Sequence, residues 1–302
     1  MIAFLLDIIA ATIRSATPLS LATIGETYAE RSGVLNLGIE GTMYAGAFFG
    51  FATAYWTGSL EAGLIAAVVV GLIAGALMAF LTVTLGANQH VSGLGLTLAL
   101  IGVSEFTNRL AFGGGQGLRR IDPYRQVDPL GLGGVFSQYS FTYVAFIVVV
   151  PLMWWLLMRT RFGLALRSVG EDPEAADAAG ISVFKMRYAA LMIGGVLMSL
   201  GGAFFTLAAL GTFTLDIIAG RGWVAIALVI FGRWSIWRAV GGAILFSAVY
   251  ALQLRLRVTP GWEGVPFELL LALPYLVVIV ALALSGRNVA YPGAYLKPYR
   301  RS

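Results

Sequence analysis

Apolar runs long enough to cross a lipid bilayer recur from one end of this 302-residue chain to the other. A helix rises about 1.5 Å per residue and the hydrocarbon core is about 30 Å thick, so one crossing takes about 20 apolar residues. Nine segments stand out, at 2–24, 34–56, 60–85, 91–112, 141–158, 188–211, 214–232, 240–256 and 267–284. Composition agrees, with 59% hydrophobic and 12% charged residues, where soluble domains carry about a quarter charged. The expected fold is an all-α polytopic membrane protein of about 8–10 transmembrane helices, a single transmembrane domain over 1–302. The 113–140 loop is too short for an independent core.

One segment is expected to be short or broken. Gly220-Arg221-Gly222 interrupts 214–232 and leaves about ten strongly apolar residues, fewer than a span needs. It is counted as a crossing because otherwise Lys297, Arg300 and Arg301 would fall on the far side from the other basic residues.

Charge sets the orientation. With the 159–187 loop in the cytoplasm, alternation places 25–33, 86–90, 233–239 and the C-terminal tail there too. Twelve Lys and Arg then lie inside and seven outside, as the positive-inside rule requires. Trp56, Trp154, Trp155, Trp223, Trp234 and Trp237 lie near predicted segment ends, where indole favours the interface. That inside bias accounts for the net charge of +5 without a nucleic-acid partner; the surrounding partner is lipid. The first charges are Asp7 and Arg14, so the first run lacks a basic leader region and is expected to stay as a helix. Cysteine is absent, which excludes disulfides, thiolate metal sites and cysteine nucleophiles. Pairs such as Gly46/Gly50 and Gly71/Gly75 offer small faces for close helix packing within the chain.

The 159–187 loop is the most charged stretch, with nine ionisable side chains in 29 positions. Inside it, Asp172–Ile181 reads as a short helix marked at both ends. Asp172 can cap free amides, Pro173 suits the first helical position, and Gly180 suits the left-handed residue that ends a helix. Ala175, Ala176, Ala178 and Ala179 keep the rod slim enough for another backbone to approach.

Polar groups at membrane depth need a partner or a cavity, because insertion costs about 2.5–3.5 kcal/mol per charge. In the second segment Asn36 and Glu40 fall four residues apart on one helical face, with Gly33, Gly38 and Gly41 close by. This resembles the interrupted helices that line transporter cavities; pairing of Glu40 with an arginine or backbone amide is the structural alternative. Asn88 and Gln89 precede the fourth segment, which carries Glu105 and Asn108 on one face. Glu105 and Arg109 also suit an internal i,i+4 ion pair. Asp7 with Arg14, and Asp216 with Arg221, are weaker signals.

Catalysis finds little support. No G-x-S-x-G, H-E-x-x-H or nucleotide-binding G-x-x-x-x-G-K-[ST] sequence occurs, and Lys185 and Lys297 are the only lysines. If ATP drives this chain, another subunit binds it. A stand-alone ion-coupled transporter or channel is the competing class.

Four stretches together resemble one family, the membrane-spanning permeases of bacterial ABC importers for branched-chain amino acids, ribose and nucleosides. They are E-R-S-G-V-L-N-L-G-I-E-G at 30–41, N-Q-H-V-S-G-L-G-L-T-L at 88–98, F-G-L-A-L-R-S-V-G-E-D-P-E-A-A-D-A-A-G-I at 162–181 and A-G-R-G-W-V-A-I-A-L-V-I-F-G-R-W at 219–234. They are most similar to the nucleoside and simple-sugar branch. The resemblance implies a transport subunit of the plasma (inner) membrane that binds no cofactor itself. Its partners would be a cytoplasmic ABC ATPase carrying ATP and Mg, a second permease as heterodimer or homodimer, and an extracytoplasmic solute-binding protein. Glu174-Ala175-Ala176 followed by Gly180 matches the E-A-A-x-x-x-G core by which importer permeases dock on their ATPase. That assigns coupling to Arg167, Asp172, Pro173, Glu174, Ala175, Ala176 and Gly180. The substrate pathway would run by Asn36, Glu40, Asn88, Gln89, Glu105 and Asn108. The downstream Ile-x-Leu-Pro of the longer docking motif is absent, which points to a many-helix fold similar to vitamin B12-type importers.

Overall fold

A computed structural model describes residues 2–113, 119–129, 131–257, 266–285 and 290–299. In chain order the helices are α1 (Ile2–Arg31), α2 (Ile39–Thr57), α3 (Leu60–Ala79) and α4 (Gln89–Phe112). Next come α5 (Ser140–Tyr143), α6 (Val150–Arg159), α7 (Arg161–Glu171), α8 (Pro173–Ala178) and α9 (Val183–Phe204). The last are α10 (Arg221–Phe231), α11 (Ile236–Leu256) and α12 (Phe267–Ser285). π-helical turns at Phe80–Thr84, Val144–Val149 and Phe205–Leu210 prolong α3, join α5 to α6 and prolong α9. A two-residue ribbon, β1 (Gln126–Val127) with β2 (Gln138–Tyr139), is antiparallel with Gln126 opposite Tyr139.

Among the described residues, six helices are long and apolar enough to cross a membrane, and α10 and Glu268–Val280 are shorter apolar helices. With α2, each of the nine apolar segments has its helix. The seventh is the short one, as expected: α10 has 11 residues, about 16 Å at 1.5 Å each. Gly220, φ 80°, precedes it in the left-handed region.

α2 and α9 form the interior of the bundle, with α3, α4, α9 and α10 packed around α2 and α1, α2 and α3 packed around α9. The small and aromatic side chains of α2, among them Met43, Tyr44, Ala47, Phe48 and Phe51, are buried around the whole helix. The close approaches are built by glycine against backbone. A Cβ on Gly41 would sit 2.5 Å from Thr97 Cα of α4, and one on Gly25 of α1 would sit 2.6 Å from the Gly194 carbonyl of α9. Gly46 and Gly75 face the Ser199 and Leu191 carbonyls of α9 in the same way, and Gly71 faces that of Gly195. Gly50 faces the Gly63 carbonyl of α3. Both small-residue pairs noted in the sequence therefore pack internally.

Segments that alternation assigned to one side gather at one end. Arg187 donates to the Ser32 and Lys297 carbonyls, Leu296 to Gly33, Ala294 to Gly170, and Arg31 to Trp234. At the opposite end Asp7 pairs with Arg255 at 2.8 Å, Ile121 N–H donates to Gly211 and Tyr124 N–H to Leu207. Asp7 is thus bound across to α11. The 257–266 loop lies largely outside the described residues.

Three sequence expectations change. α1 does not stop at residue 24 but runs to Arg31, because Glu26 and Glu30, both fully buried, point into the bundle and meet partners there. Residues 32–38 are not helical, so Asn36 and Glu40 share no helical face; Gly33, at φ 90°, turns the chain there. Trp234 is no interfacial indole: it is 1% exposed, with Nε1 donating to Glu30 at 2.6 Å.

These contacts give a packing test. Gly25→Val and Gly46→Val should each destabilise the protein in detergent by about 3 kcal/mol, the upper end of overpacking effects, since rigid backbone opposes the new methyls. Gly241→Ala, with open space around it, should shift unfolding by less than about 1 kcal/mol. Equal effects at all three positions would contradict backbone-on-backbone packing.

Candidate functional site

Two regions concentrate the polar groups. The first is the interrupted stretch between α1 and α2. Outside a helix its backbone needs other partners, and in an apolar bundle water does not supply them. Side chains do so instead. Glu26 Oε1 accepts from Asn36 N–H at 2.9 Å, and Gln89 Oε1 of α4 accepts from Leu35 N–H at 2.8 Å. Asn36 Oδ1 accepts from Gly38 N–H at 2.9 Å, and Thr97 Oγ1 donates to the Leu37 carbonyl at 2.9 Å. Gly93 lets α4 lie directly on Leu37.

Glu40 opens α2 and reaches across to α10. Its Oε1 accepts from Gly220 N–H and its Oε2 from Gly222 N–H, each at 2.7 Å. Free amides and the positive end of the helix dipole make a helix N-terminus a seat for an anion. Here Glu40 fills that seat, the structural alternative raised by the sequence. A Cβ on Gly222 would collide with Glu40, so the glycine allows the approach.

The remaining pathway candidates separate. Asn88 caps α4, accepting from His90 and Val91 N–H at 3.0 and 3.2 Å. Glu105 lies 4.0 Å from Arg109 as the i,i+4 pair, and Tyr44 donates to it at 3.5 Å. Asn108 is half-buried beyond it. Arg221 donates to the Ile217 and Ile218 carbonyls and to Tyr250, and lies over the Phe205 ring. Asn36 and Gln89 thus brace the stretch between α1 and α2 and Glu40 holds the start of α10, while Glu105 and Asn108 lie further along α4.

The second region is the end carrying the charged loop. Asp172 Oδ1 accepts from Glu174 and Ala175 N–H at 3.1 and 3.0 Å, Pro173 takes the first turn, and Gly180 has φ 82°. The helix is as short and as doubly marked as its sequence suggests. Ala176 turns inward against Val169, Val183 and Tyr299; Glu174, Ala175 and Ala178 are exposed. Between α7 and α8 runs an open groove of ≈ 500 Å³ lined by Arg31, Arg167, Glu171, Asp172, Ala175 and Ile181, among others.

Several residues that hold this end together gave no sequence signal. The C-terminal segment 290–299 straps across it, with Ala294 N–H on the Gly170 carbonyl and Leu296 N–H on that of Gly33. Arg187 is 1% exposed and binds two backbone carbonyls. Burial, with Glu30 and Glu26 nearby, holds the Tyr295 hydroxyl well above its ordinary pKa and so neutral. Arg233 and Trp234 both adopt positive φ, at 49° and 54°, strain held by the Trp234–Glu30 and Arg31–Trp234 hydrogen bonds.

Comparison with known proteins converges. A family described as the permease component of branched-chain amino acid transport systems matches residues 8–282. The TsgC13 permease protein of Haloferax volcanii, whose name gives glucose as a provisional solute, is 36% identical over 99% of this chain and 98% of its own length. The guanosine ABC transporter permease protein NupQ of Bacillus subtilis is 34% identical over 97% of this chain and 96% of its own. NupP, a second guanosine permease protein of the same strain, is 25% identical over 92% and 82%. No solved structure matches.

The α2–α10 junction can be tested directly. Glu40→Ala removes the acceptor of two amides and should destabilise the protein by roughly 1–3 kcal/mol per orphaned group. Glu40→Gln keeps one oxygen and should fall between that variant and the parent. Detergent unfolding followed by tryptophan fluorescence reads the effect, and an Ala variant as stable as the parent would remove the anchoring role.

Proposed function

This chain belongs to the branched-chain amino acid transport permease family and is a multi-pass membrane permease subunit of an ATP-driven importer; from that premise we propose that it admits a nucleoside or simple sugar and is driven through α8. The solute class rests on the names of NupQ and TsgC13. ATP and Mg would sit on a separate cytoplasmic ATPase, since this chain has no Walker A lysine. A second permease and an extracytoplasmic solute-binding protein complete the assembly. The nine apolar segments favour a many-helix arrangement similar to vitamin B12-type importers.

The geometry of α8 carries the coupling proposal. Its caps make a six-residue rod self-sufficient, its outer face carries Ala175, Ala178 and the charged Glu174, and its inner face is pinned to α7 and α9 through Ala176. A partner that seats the exposed face can push the rod without unravelling it. The push reaches α7, then the Arg31–Glu171 contact at 3.9 Å and the Gly170–Arg31 backbone contact, and so the broken stretch leading to Glu40. Asn36, Glu40 and Gln89 brace the wall of the path in this reading. Glu105 and Asn108 offer polar groups along it, and Asn88 orients α4.

Gly180→Val should be strained at φ 82°, and Glu174→Lys should reverse the charge on the docking face. Both should abolish solute-stimulated ATP hydrolysis in the reconstituted importer while the permease still elutes as a folded protein. Unchanged stimulation in both variants would remove α8 as the coupling element. A stand-alone carrier would instead transport solute without any ATPase present.

A further inference from the structure

Arg14 lies inside an apolar span and makes no hydrogen bond, ion pair or ring contact among the described residues. Arg31, Arg109, Arg187 and Arg221, by contrast, each reach a carboxylate, carbonyl or hydroxyl of this chain. Arg14 stands nine residues beyond Leu5, where the span of α1 begins, and so about 14 Å into it. The sequence pairs it with Asp7, two turns away on the same face. The structure gives Asp7 to Arg255 of α11 instead, at 2.8 Å, and an arginine left alone at that depth is costly.

Asp7, Arg14 and Arg255 line one open groove of ≈ 440 Å³ between α1 and α11, with Ala11 and Leu254 among its walls. One carboxylate against two guanidiniums leaves the groove one positive charge in excess. Helical side chains lean toward the N-terminus of their helix, so the Arg14 stem rises past the small Ala11 toward the Asp7–Arg255 pair. The surface around the groove is apolar: Leu5, Leu6 and Ile9 of α1 and Leu252 and Leu254 of α11 are all exposed at this end. The groove therefore opens onto a face suited to acyl chains.

We infer that the α1–α11 groove holds the phosphate of an anionic phospholipid, with Arg14 as its ligand and Arg255, fixed by Asp7, beside it. A guanidinium presents paired donors that match phosphate oxygens, and basic pockets between spanning helices seat anionic headgroups. The single excess charge matches a headgroup of net charge −1, whereas the amine of a zwitterionic headgroup cancels its own phosphate. Free phosphate shares the oxyanion but makes no use of the apolar rim. The inference stands apart from the importer reading and adds a lipid site at the end away from α8.

The test titrates phosphatidylglycerol into the full-length chain in neutral detergent and counts bound lipid by native mass spectrometry. Arg14→Gln should weaken binding by roughly ten- to hundredfold, the worth of a hydrogen bond to a charged group. Arg14→Lys keeps the charge and should lose less. Arg125→Gln, which removes an exposed charge from the 113–140 loop, should lose nothing. Ala11→Leu crowds the groove with every charge in place and should also weaken binding, which keeps the test open if Arg14→Gln does not fold. Equal binding by the parent and both groove variants, or equal displacement by phosphatidylcholine, would overturn the inference. So would displacement by inorganic phosphate, which would make the groove a small-anion site. The assembled importer should retain the lipid; its loss on assembly would give Arg14 to a partner subunit instead.

Discussion

A carboxylate holding the free amides of a helix end is the contact on which the middle of this protein depends. In an apolar bundle each backbone N–H outside a helix must find a partner, and residues 32–38 and 211–220 are two stretches outside any helix. Glu40 joins them: it lies in the first turn of the helix that follows one break and accepts from Gly220 and Gly222, at the start of the helix that follows the other. Glu26, Asn36, Gln89 and Thr97 complete the support around the first break. The polar residues at membrane depth are here because irregular backbone is here.

That logic explains what could be read from the sequence and what could not. The nine apolar segments were legible because hydrocarbon thickness is a length requirement that each must meet alone. The short seventh helix was legible from Gly220-Arg221-Gly222, and α8 from the local chemistry of Asp172, Pro173 and Gly180. The extension of α1 was not. Glu26 and Glu30 lower the local hydropathy and read as loop, yet their partners are Asn36 and Trp234, the second more than 200 residues away. Trp234 and Arg187 were assigned to a wet boundary by the same averaging.

Polar anchors and glycine contacts divide the work. Glycine brings α1, α2, α3 and α9 to backbone distance along the interior, and side-chain hydrogen bonds fasten the ends. The strap of residues 290–299 fastens one of those ends by backbone and side-chain bonds together. It links α7, the turn at Gly33 and Arg187 of α9, so the end that carries α8 is tied to the start of the broken stretch by two backbone hydrogen bonds and one from the Arg187 side chain.

The Gly25–Gly194 crossing has a mechanical consequence. With each carbonyl seated where the other residue would carry a side chain, α1 and α9 have no clearance to slide or roll past one another. Gly71 and Gly195 join α3 to the same unit. These three helices pack as a single unit, and the chain leaves it through two unwound stretches, 32–38 after α1 and 211–220 after α9, which Glu40 fastens to each other.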